Sequence, residues 1–171
     1  MAASIVKPLA KKQLERLQRS DPAAPSKGPT FQVEHFYGIA RELPPLFEQH
    51  GLEHNEKPDP DWDAFFDLGL RGVLRVLTVR DGDLLIGYIF NLVRGHLHAK
   101  RTLHCFIDGF YLQPAYRGGM LAMKMFRRND ELCKEWGVQR AYVGADMGSR
   151  QEVIFKRLGY KPFEMFYRKD F

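Results

Sequence analysis

Residues 117–122, which read Arg-Gly-Gly-Met-Leu-Ala, have the composition and the position of an anion-binding turn. They directly follow a strand-like run and open an amphipathic helix. The first amides of a helix have no partner within it and lie at the positive end of its dipole, so an anion can accept several hydrogen bonds there. Adjacent glycines let phosphate oxygens approach the backbone without a Cβ in the way. The segment predicts a backbone site for a pyrophosphate, although an ordinary strand-to-helix turn has the same outline when it is taken alone.

The elements around this turn follow from hydrophobic periodicity and from turn residues. Alternating or short apolar runs predict six strands, and a period near 3.6 predicts four helices. Asp81-Gly82 indicates a hairpin between the second and third strands. The predicted order is strand 31–36, helices 42–50 and 61–70, strands 73–79, 84–93 and 103–112, helix 118–136, strand 141–145, helix 149–158 and strand 160–167.

The composition is typical of one globular domain with a basic arm. The chain has 171 residues, of which 44% are hydrophobic and 27% charged, and its formal net charge is +5. Residues 1–29 are basic and end in a proline-rich stretch, so we predict an arm and linker there and a packed domain over residues 30–171. The arm is typical of a solvated tail, and a nucleic-acid contact is the alternative.

The cysteines and histidines lack the spacing of a metal site. Cys105 and Cys133 fall in a strand-like and a helix-like segment, and His96 and His98 have no third ligand at a suitable distance along the chain. We therefore predict no metal, and reduced core cysteines in a cytoplasmic protein. No run approaches the roughly 20 apolar residues of a membrane span, so we expect no membrane association.

Two segments resemble motifs of the GCN5-related N-acetyltransferase (GNAT) family. Residues 110–119, Phe-Tyr-Leu-Gln-Pro-Ala-Tyr-Arg-Gly-Gly, are similar to the end of strand 4 and the acetyl-CoA loop of that family. Arg117 and Ala122 match the signature Arg/Gln-x-x-Gly-x-Gly/Ala, whose central glycine is Met120 here. Residues 155–160 are similar to a family helix ending, Tyr-Glu-Lys-x-Gly-Phe. Together with the order of the elements, the resemblance covers residues 30–168.

The resemblance implies an α/β (α+β) fold with a mixed, twisted sheet of six to seven strands, splayed between strands 4 and 5, and helices on both faces. Acetyl-CoA, the implied co-substrate, would lie in the opening, with its pantetheine arm along strand 4 near Leu112. The side chain of Met120 would have to turn away for its amide to reach phosphate. The implied cofactor-binding residues are Leu112, Arg117, Gly118, Gly119, Met120, Leu121, Ala122, Ser149 and Phe155.

Acetyl transfer needs a neutral amine, a donor for the developing oxyanion and a proton for the departing thiolate. In the family a carboxylate on strand 4 often meets the need for a neutral amine, directly or through water. In this chain Phe106 occupies a common position for that carboxylate. His104 and Asp108 flank that position and, with Phe110, share its strand face. Gly109 is a candidate for a bulge that would disturb this register.

The candidate catalytic residues are Asp108 first, then His104 and Asp146. Each also has a structural explanation: a carboxylate facing water, a core histidine, and a cap for the helix near Ser149. The backbone N–H of Leu112 is the expected donor to the thioester oxygen.

The family's usual general acid is a tyrosine that corresponds to Phe155, which cannot protonate a thiolate. Tyr160 or Ser149 could donate instead, the thiolate could leave into water, or efficient transfer could be lost. The loss of one general acid typically costs about 10² to 10⁴ in rate.

Two functions are therefore open. The first is an acetyl-CoA-dependent N-acetyltransferase acting on a primary amine of a small molecule or a protein by direct attack, with a homodimer possible through the edges of strands 5 and 6. The second is a non-catalytic CoA-binding module that acts through protein or nucleic acid. The predicted helices before strand 2 carry acidic residues that could attract a cationic amine or simply face water: Glu42, Glu48, Glu53, Glu56, Asp59, Asp61, Asp63 and Asp67.

Overall fold

The computed structural model describes residues 28–54 and 57–171. Most of the predicted arm, residues 1–27, and Glu56 lie outside the described residues. Five strands and five helices, with one short 3₁₀ turn, are present in the described ranges. In chain order they are β1 Thr30–Glu34, α1 Phe36–Ile39, α2 Leu43–Glu53, α3 Trp62–Leu70, β2 Leu74–Asp81, β3 Leu84–His96, β4 Ala99–Leu112, the 3₁₀ turn Pro114–Tyr116, α4 Leu121–Glu135, β5 Arg140–Val143 and α5 Arg150–Arg157.

The strands form one mixed sheet in the order β1-β2-β3-β4-β5. The first four are antiparallel neighbours, and β5 is parallel to β4 because the chain crosses over through α4. The predicted mixed α/β fold is confirmed. The predicted strand 160–167 is wrong, and within the described residues the sheet has five strands instead of six to seven. Pro162 cannot donate to a strand ladder, and all residues from 161 to 171 are exposed.

Helices cover both faces of the sheet, as predicted. On one face α4 and α5 pack with Met125, Phe126 and Phe155 against β3 and β4. On the other face α1, α2 and α3 bury an aromatic cluster against Tyr88 and Phe90 of β3. The two cores fix the sheet between two helical layers, so the edges and ends of its strands are left to form sites.

The sheet opens between β4 and β5. Strand β5 has only four residues, and it pairs with β4 from His104↔Arg140 to Ile107↔Val143. Strand β4 continues to Leu112, so residues 108–112 have no strand partner on that side within the described chain. The predicted splay is therefore present, and its apex lies at Ile107.

A β-bulge lies at this apex. Phe90 pairs with Gly109 and Asn91 pairs with Ile107, so Asp108 is the extra residue in β4. The bulge changes which side chains share a face. Phe110 packs into the core beside Phe126, with ring centroids 5.1 Å apart, while His104 lies on the opposite face. The expectation that His104, Asp108 and Phe110 share one face is wrong for Phe110, because the inserted residue reverses the alternation.

Two buried asparagines join α4 to the sheet. Asn91 Nδ2 donates to Asn129 Oδ1 at 2.8 Å, and Asn129 Nδ2 donates back to Asn91 Oδ1 at 3.0 Å. The Asn91 oxygen also accepts a hydrogen bond from the thiol of Cys105 at 3.3 Å. Cys105 and Cys133 are free and buried, in agreement with their predicted place in the core.

We expect N129A and N91A each to lower the free energy of unfolding by about 2–3 kcal/mol, because each leaves a buried amide without its partner. The free energy of unfolding lost in the double variant should be smaller than the sum of the two single losses, by about 1 kcal/mol or more. Urea unfolding of the four proteins measures this coupling. Strictly additive losses would contradict the reciprocal pairing.

Candidate active site

The turn between β4 and α4 is built from the 3₁₀ turn and two glycines. Gly118 has φ +90°, a conformation that favours glycine, and no atom lies within 4 Å of the position where its Cβ would be. The chain then enters α4 at Leu121 with Met120 as the N-cap. The sequence predicted this turn correctly, because the glycines stand where the strand period changes to the helical period.

The amides of this turn are open to a ligand. The first helical hydrogen bond runs from Lys124 N to Met120 O at 2.9 Å, and no side chain caps the helix. Within the described parts of the chain, no group accepts a hydrogen bond from the amides of residues 118–123. Several unsatisfied donors at the start of a 15-residue helix form a site suited to a phosphate group.

Met120 is compatible with this role. Its φ is −83°, so the position does not need a glycine, and its side chain is 56% exposed. The side chain has turned toward solvent, as the sequence required if the amide is to approach phosphate.

Arg117 contacts the neighbouring elements of the fold. Its Nε donates to the Leu112 carbonyl at 2.6 Å and its Nη2 to Glu53 Oε1 at 2.8 Å, while the guanidinium lies 5.2 Å from the centre of the Tyr111 ring. Its charge is partly compensated by Glu53, and the side chain joins the end of α2 to the end of β4. The Glu53 contact was not predicted, since 64 residues separate the two side chains and no local pattern marks the pair.

The backbone of Leu112 faces the opening. Gln113 N donates to Ile86 O at 2.8 Å, so these two residues form a hydrogen-bonded pair of the β3–β4 ladder. Leu112, which pairs with Gly87, must then direct its N–H and its C=O away from β3. The bond from Arg117 to the Leu112 carbonyl agrees with this direction. A free donor at the open edge of β4 is the arrangement expected for an oxyanion contact.

The candidate carboxylates flank the opening. Asp108 is exposed at the bulge, and its side chain has no hydrogen-bond partner within residues 28–54 and 57–171. Asp146 is exposed beyond the end of β5; its carbonyl accepts from Ser149 N at 3.1 Å, but its carboxylate does not cap α5. Ser149 itself is the N-cap, and its hydroxyl accepts from Glu152 N at 3.3 Å. Capping therefore does not explain Asp146.

His104 lies apart from Asp146. It is 2% exposed and pairs with Arg140 at the start of β5, whereas Asp146 follows the end of that strand. Burial, together with electrostatic interaction with His96 and Arg140, lowers the pKa of His104, which favours its neutral ring. Along the β4–β5 register, His104 lies at the start of the pairing, whereas Asp108 and Asp146 both follow its last pair, Ile107 with Val143.

The residues considered for proton donation differ in their surroundings. Phe155 is buried between Phe110 and Phe126, with ring centroids at 5.8 and 5.0 Å. The hydroxyl of Tyr160 donates to Asp130 Oδ1 at 2.6 Å, and burial together with Asp130 raises the pKa of Tyr160. A tyrosine whose proton is held in this way is a poor acid. Ser149 uses only its hydroxyl oxygen in the cap, so its hydroxyl hydrogen can be donated to another acceptor.

In the described residues, no cluster of three or more His, Cys, Asp or Glu side chains is placed to hold a metal ion. The helices of the described part are too short or too polar to cross a membrane.

Comparison with known proteins agrees with this geometry. The model of the acetyltransferase (GNAT) family matches residues 36–160. No curated protein matches the sequence. Among solved structures, a ribosomal-protein-alanine N-acetyltransferase from Brucella melitensis biovar Abortus 2308 has a TM-score of 0.66 at 14% identity, covering 84% of this chain and 99% of that chain.

Two further structures have the same fold. A predicted acetyltransferase from Clostridium acetobutylicum with acetyl-CoA has a TM-score of 0.66 at 15% identity, covering 84% of this chain and 96% of that chain. The aminoglycoside acetyltransferase HMB0005 from an uncultured soil metagenomic sample has a TM-score of 0.70 at 13% identity, covering 84% and 99%. Since the family model spans well over half of the sequence, the chain belongs to the GNAT family of acetyltransferases.

Proposed function

We propose that the protein is an acetyl-CoA-dependent N-acetyltransferase that acts on a primary amine of a small molecule or a protein. One observation carries the proposal: the unpartnered amides at the start of α4 are continuous with the unpaired edge of β4. The first can bind a pyrophosphate, and the second can pair with an amide-containing arm. Membership of the family supports both assignments.

The fit of coenzyme A rests on the backbone. Gly118 lacks the Cβ that would obstruct phosphate oxygens, and the amides of residues 118–122 provide the donors. Residues 108–112 of β4 provide the unpaired edge for the pantetheine amides. Arg117 holds the Leu112 carbonyl on the open side of β4.

When bound, acetyl-CoA supplies a thioester whose carbonyl carbon forms a C–N bond with the amine as its C–S bond breaks and the thiolate departs. The Leu112 N–H stabilises negative charge that develops on the carbonyl oxygen. We assign the base to Asp108, which accepts a proton from the attacking amine directly or through water. Asp108 is the preferred candidate because it is unpartnered and stands at the apex of the opening.

No strong acid faces this chemistry in our assignment. Tyr160 is engaged with Asp130, and Phe155 has no proton to give. A thiol has a pKa near 8.5, so a departing thiolate can take its proton from water, with Ser149, the N-cap of α5, as the alternative donor. We therefore expect slower turnover than a relative with a well-placed acid.

The buried Phe155 also favours a second candidate function, a CoA-binding module without catalysis that acts on protein or nucleic acid. Release of free thiol separates the two. We expect acetyl-CoA to bind in calorimetry and free thiol to appear when the full chain is mixed with acetyl-CoA and a panel of primary amines. Binding without thiol release from any amine would favour the module. Absence of binding at millimolar acetyl-CoA would contradict both.

A further inference from the structure

A second concave site lies at the hairpin end of β3 and β4, before the apex of the opening in the direction of β4. Its volume is about 150 Å³, and a cavity of that size accepts one benzene-sized molecule. Its lining joins a cation, histidine rings and an aromatic wall: Arg94, Gly95, His96, Leu97, His98, His104 and Phe106. The sequence marked His96, His98 and His104 separately but gave no sign that they share one pocket.

Two residues that line the pocket, His96 and His104, carry polar atoms without a partner. Both ring nitrogens of His104 and Nδ1 of His96 are buried and have no hydrogen-bond partner among the described residues. The two rings lie 4.3 Å apart, centroid to centroid. A buried donor or acceptor without a partner is costly, so these nitrogens indicate a ligand with polar atoms.

The charge of the pocket is positive. Residues 84–107 contain no Asp or Glu. Arg94 makes no ion pair within the described chain; its guanidinium lies 5.7 Å from the centre of the Phe106 ring. Arginine stays charged at all physiological pH values, whereas burial lowers the pKa of His104 and favours its neutral ring. One permanent charge with several ring N–H groups suits a monoanion, and a carboxylate matches the planar fork of the guanidinium.

The position of the pocket connects it to the proposed chemistry. Phe106 and His104 lie on β4 two and four residues before Asp108. At about 3.3 Å per residue, the pocket begins roughly 7–13 Å from the proposed base along the strand. An acceptor could place its amine at Asp108 and its other end in the pocket.

We propose that this pocket binds a carboxylate of the acceptor, so that the substrates are small amines with a free carboxylate, such as short peptides; this rests on the proposed function. The carboxylate pairs with Arg94 and accepts from the ring nitrogens of His96 and His104. Phe106, which stacks on Tyr142 with centroids 4.8 Å apart, packs against the apolar part of the molecule.

A polycationic acceptor fits this site poorly. Four of the eight acidic residues that the sequence offered for a cationic amine are engaged elsewhere. Glu42 pairs with Arg80, Glu53 with Arg117, and Asp67 with Arg71, while Asp61 caps α3. The pocket around Arg94 carries positive charge instead.

Binding can be tested without turnover by histidine-ring NMR of the full chain, with benzoate and its neutral isostere benzamide as probes. We expect benzoate to shift the ring signals of His96 and His104, with a dissociation constant at least tenfold lower than that of benzamide. R94Q should lower the affinity for benzoate at least tenfold, because it removes the charged partner. K100Q is the matched control, since Lys100 is an exposed cation on the same hairpin outside the lining, and its effect should stay below twofold. Equal binding of the two probes by the wild-type protein, or equal effects of the two variants, would overturn the proposal.

A second experiment measures kcat/KM for tripeptides with a free C-terminus and for the same peptides amidated. The carboxylate should raise kcat/KM at least tenfold, and R94Q should abolish the preference. Equal kcat/KM for the free and the amidated peptides would overturn the proposed carboxylate site and leave the proposed acetyltransferase function unaffected. Benzoate binding without transfer to any amine would sustain the carboxylate site and contradict the proposed function.

Discussion

Replacing Asp108 with asparagine is expected to lower kcat for acetyl transfer by about 10²- to 10⁴-fold, the usual contribution of a general base. Asparagine keeps the size and the hydrogen-bonding capacity of the side chain but cannot accept the proton of an ammonium group. Asp108 is the unpaired residue of the bulge, so the substitution removes no contact of the fold. Steady-state thiol release measures the rate, and calorimetry should give an unchanged affinity for acetyl-CoA.

D83N is the control for D108N, because Asp83 is an exposed carboxylate between β2 and β3, where only its backbone carbonyl accepts from Arg80. It should retain wild-type kcat within twofold. D146N tests the other carboxylate of the opening. If D146N loses kcat a hundredfold while D108N does not, the base is Asp146 and our assignment is wrong.

We expect G118V to weaken acetyl-CoA binding by about tenfold to a hundredfold. At φ +90° a β-branched residue is strained by about 1–3 kcal/mol, so the turn must leave the conformation that presents its amides. Each charge-assisted hydrogen bond lost with that conformation contributes about 1.5–3 kcal/mol. Calorimetric titration of the full chain measures the affinity.

G137V is the matched control for this experiment. Gly137 lies just beyond the other end of α4 and also has a positive φ, +75°, with no atom within 4 Å of a Cβ. Its substitution introduces similar strain far from the proposed site, so stability should fall in both variants and CoA affinity only in G118V. An equal loss of affinity in both would mean that the effect is global and that the turn holds no phosphate.

The position of the glycine turn before α4 could be predicted from local sequence. Gly118 and Gly119 stand where period two changes to period 3.6, and that boundary depends on nearest neighbours alone. The order of the elements followed in the same way, apart from the last strand and from α1, a four-residue helix that the sequence did not predict. Residues 160–167 are rich in aromatic side chains, but Pro162 removes a ladder donor and the structure has no strand there.

The face that each β4 side chain occupies could not be predicted with the same success. Gly109 indicated a bulge, yet only the pairing of Phe90 with Gly109 and of Asn91 with Ile107 shows that Asp108 is the inserted residue. A one-residue insertion moves every later side chain to the opposite face, which is why Phe110 is in the core.

Contacts between residues far apart in the sequence could not be predicted from the sequence pattern. The pairing of Arg117 with Glu53 and the pocket shared by Arg94 and His104 depend on tertiary structure. The sequence located the candidate residues along the chain. Only the structure shows that Asp108 is exposed and His104 is buried.

A crystal structure of the full chain with coenzyme A tests the central claim most directly. We expect the pyrophosphate within hydrogen-bond distance of the amides of residues 118–122 and the pantetheine arm along residues 108–112 of β4, with its thiol end directed toward Asp108. Coenzyme A bound elsewhere, or phosphates held by side chains away from the start of α4, would contradict the account.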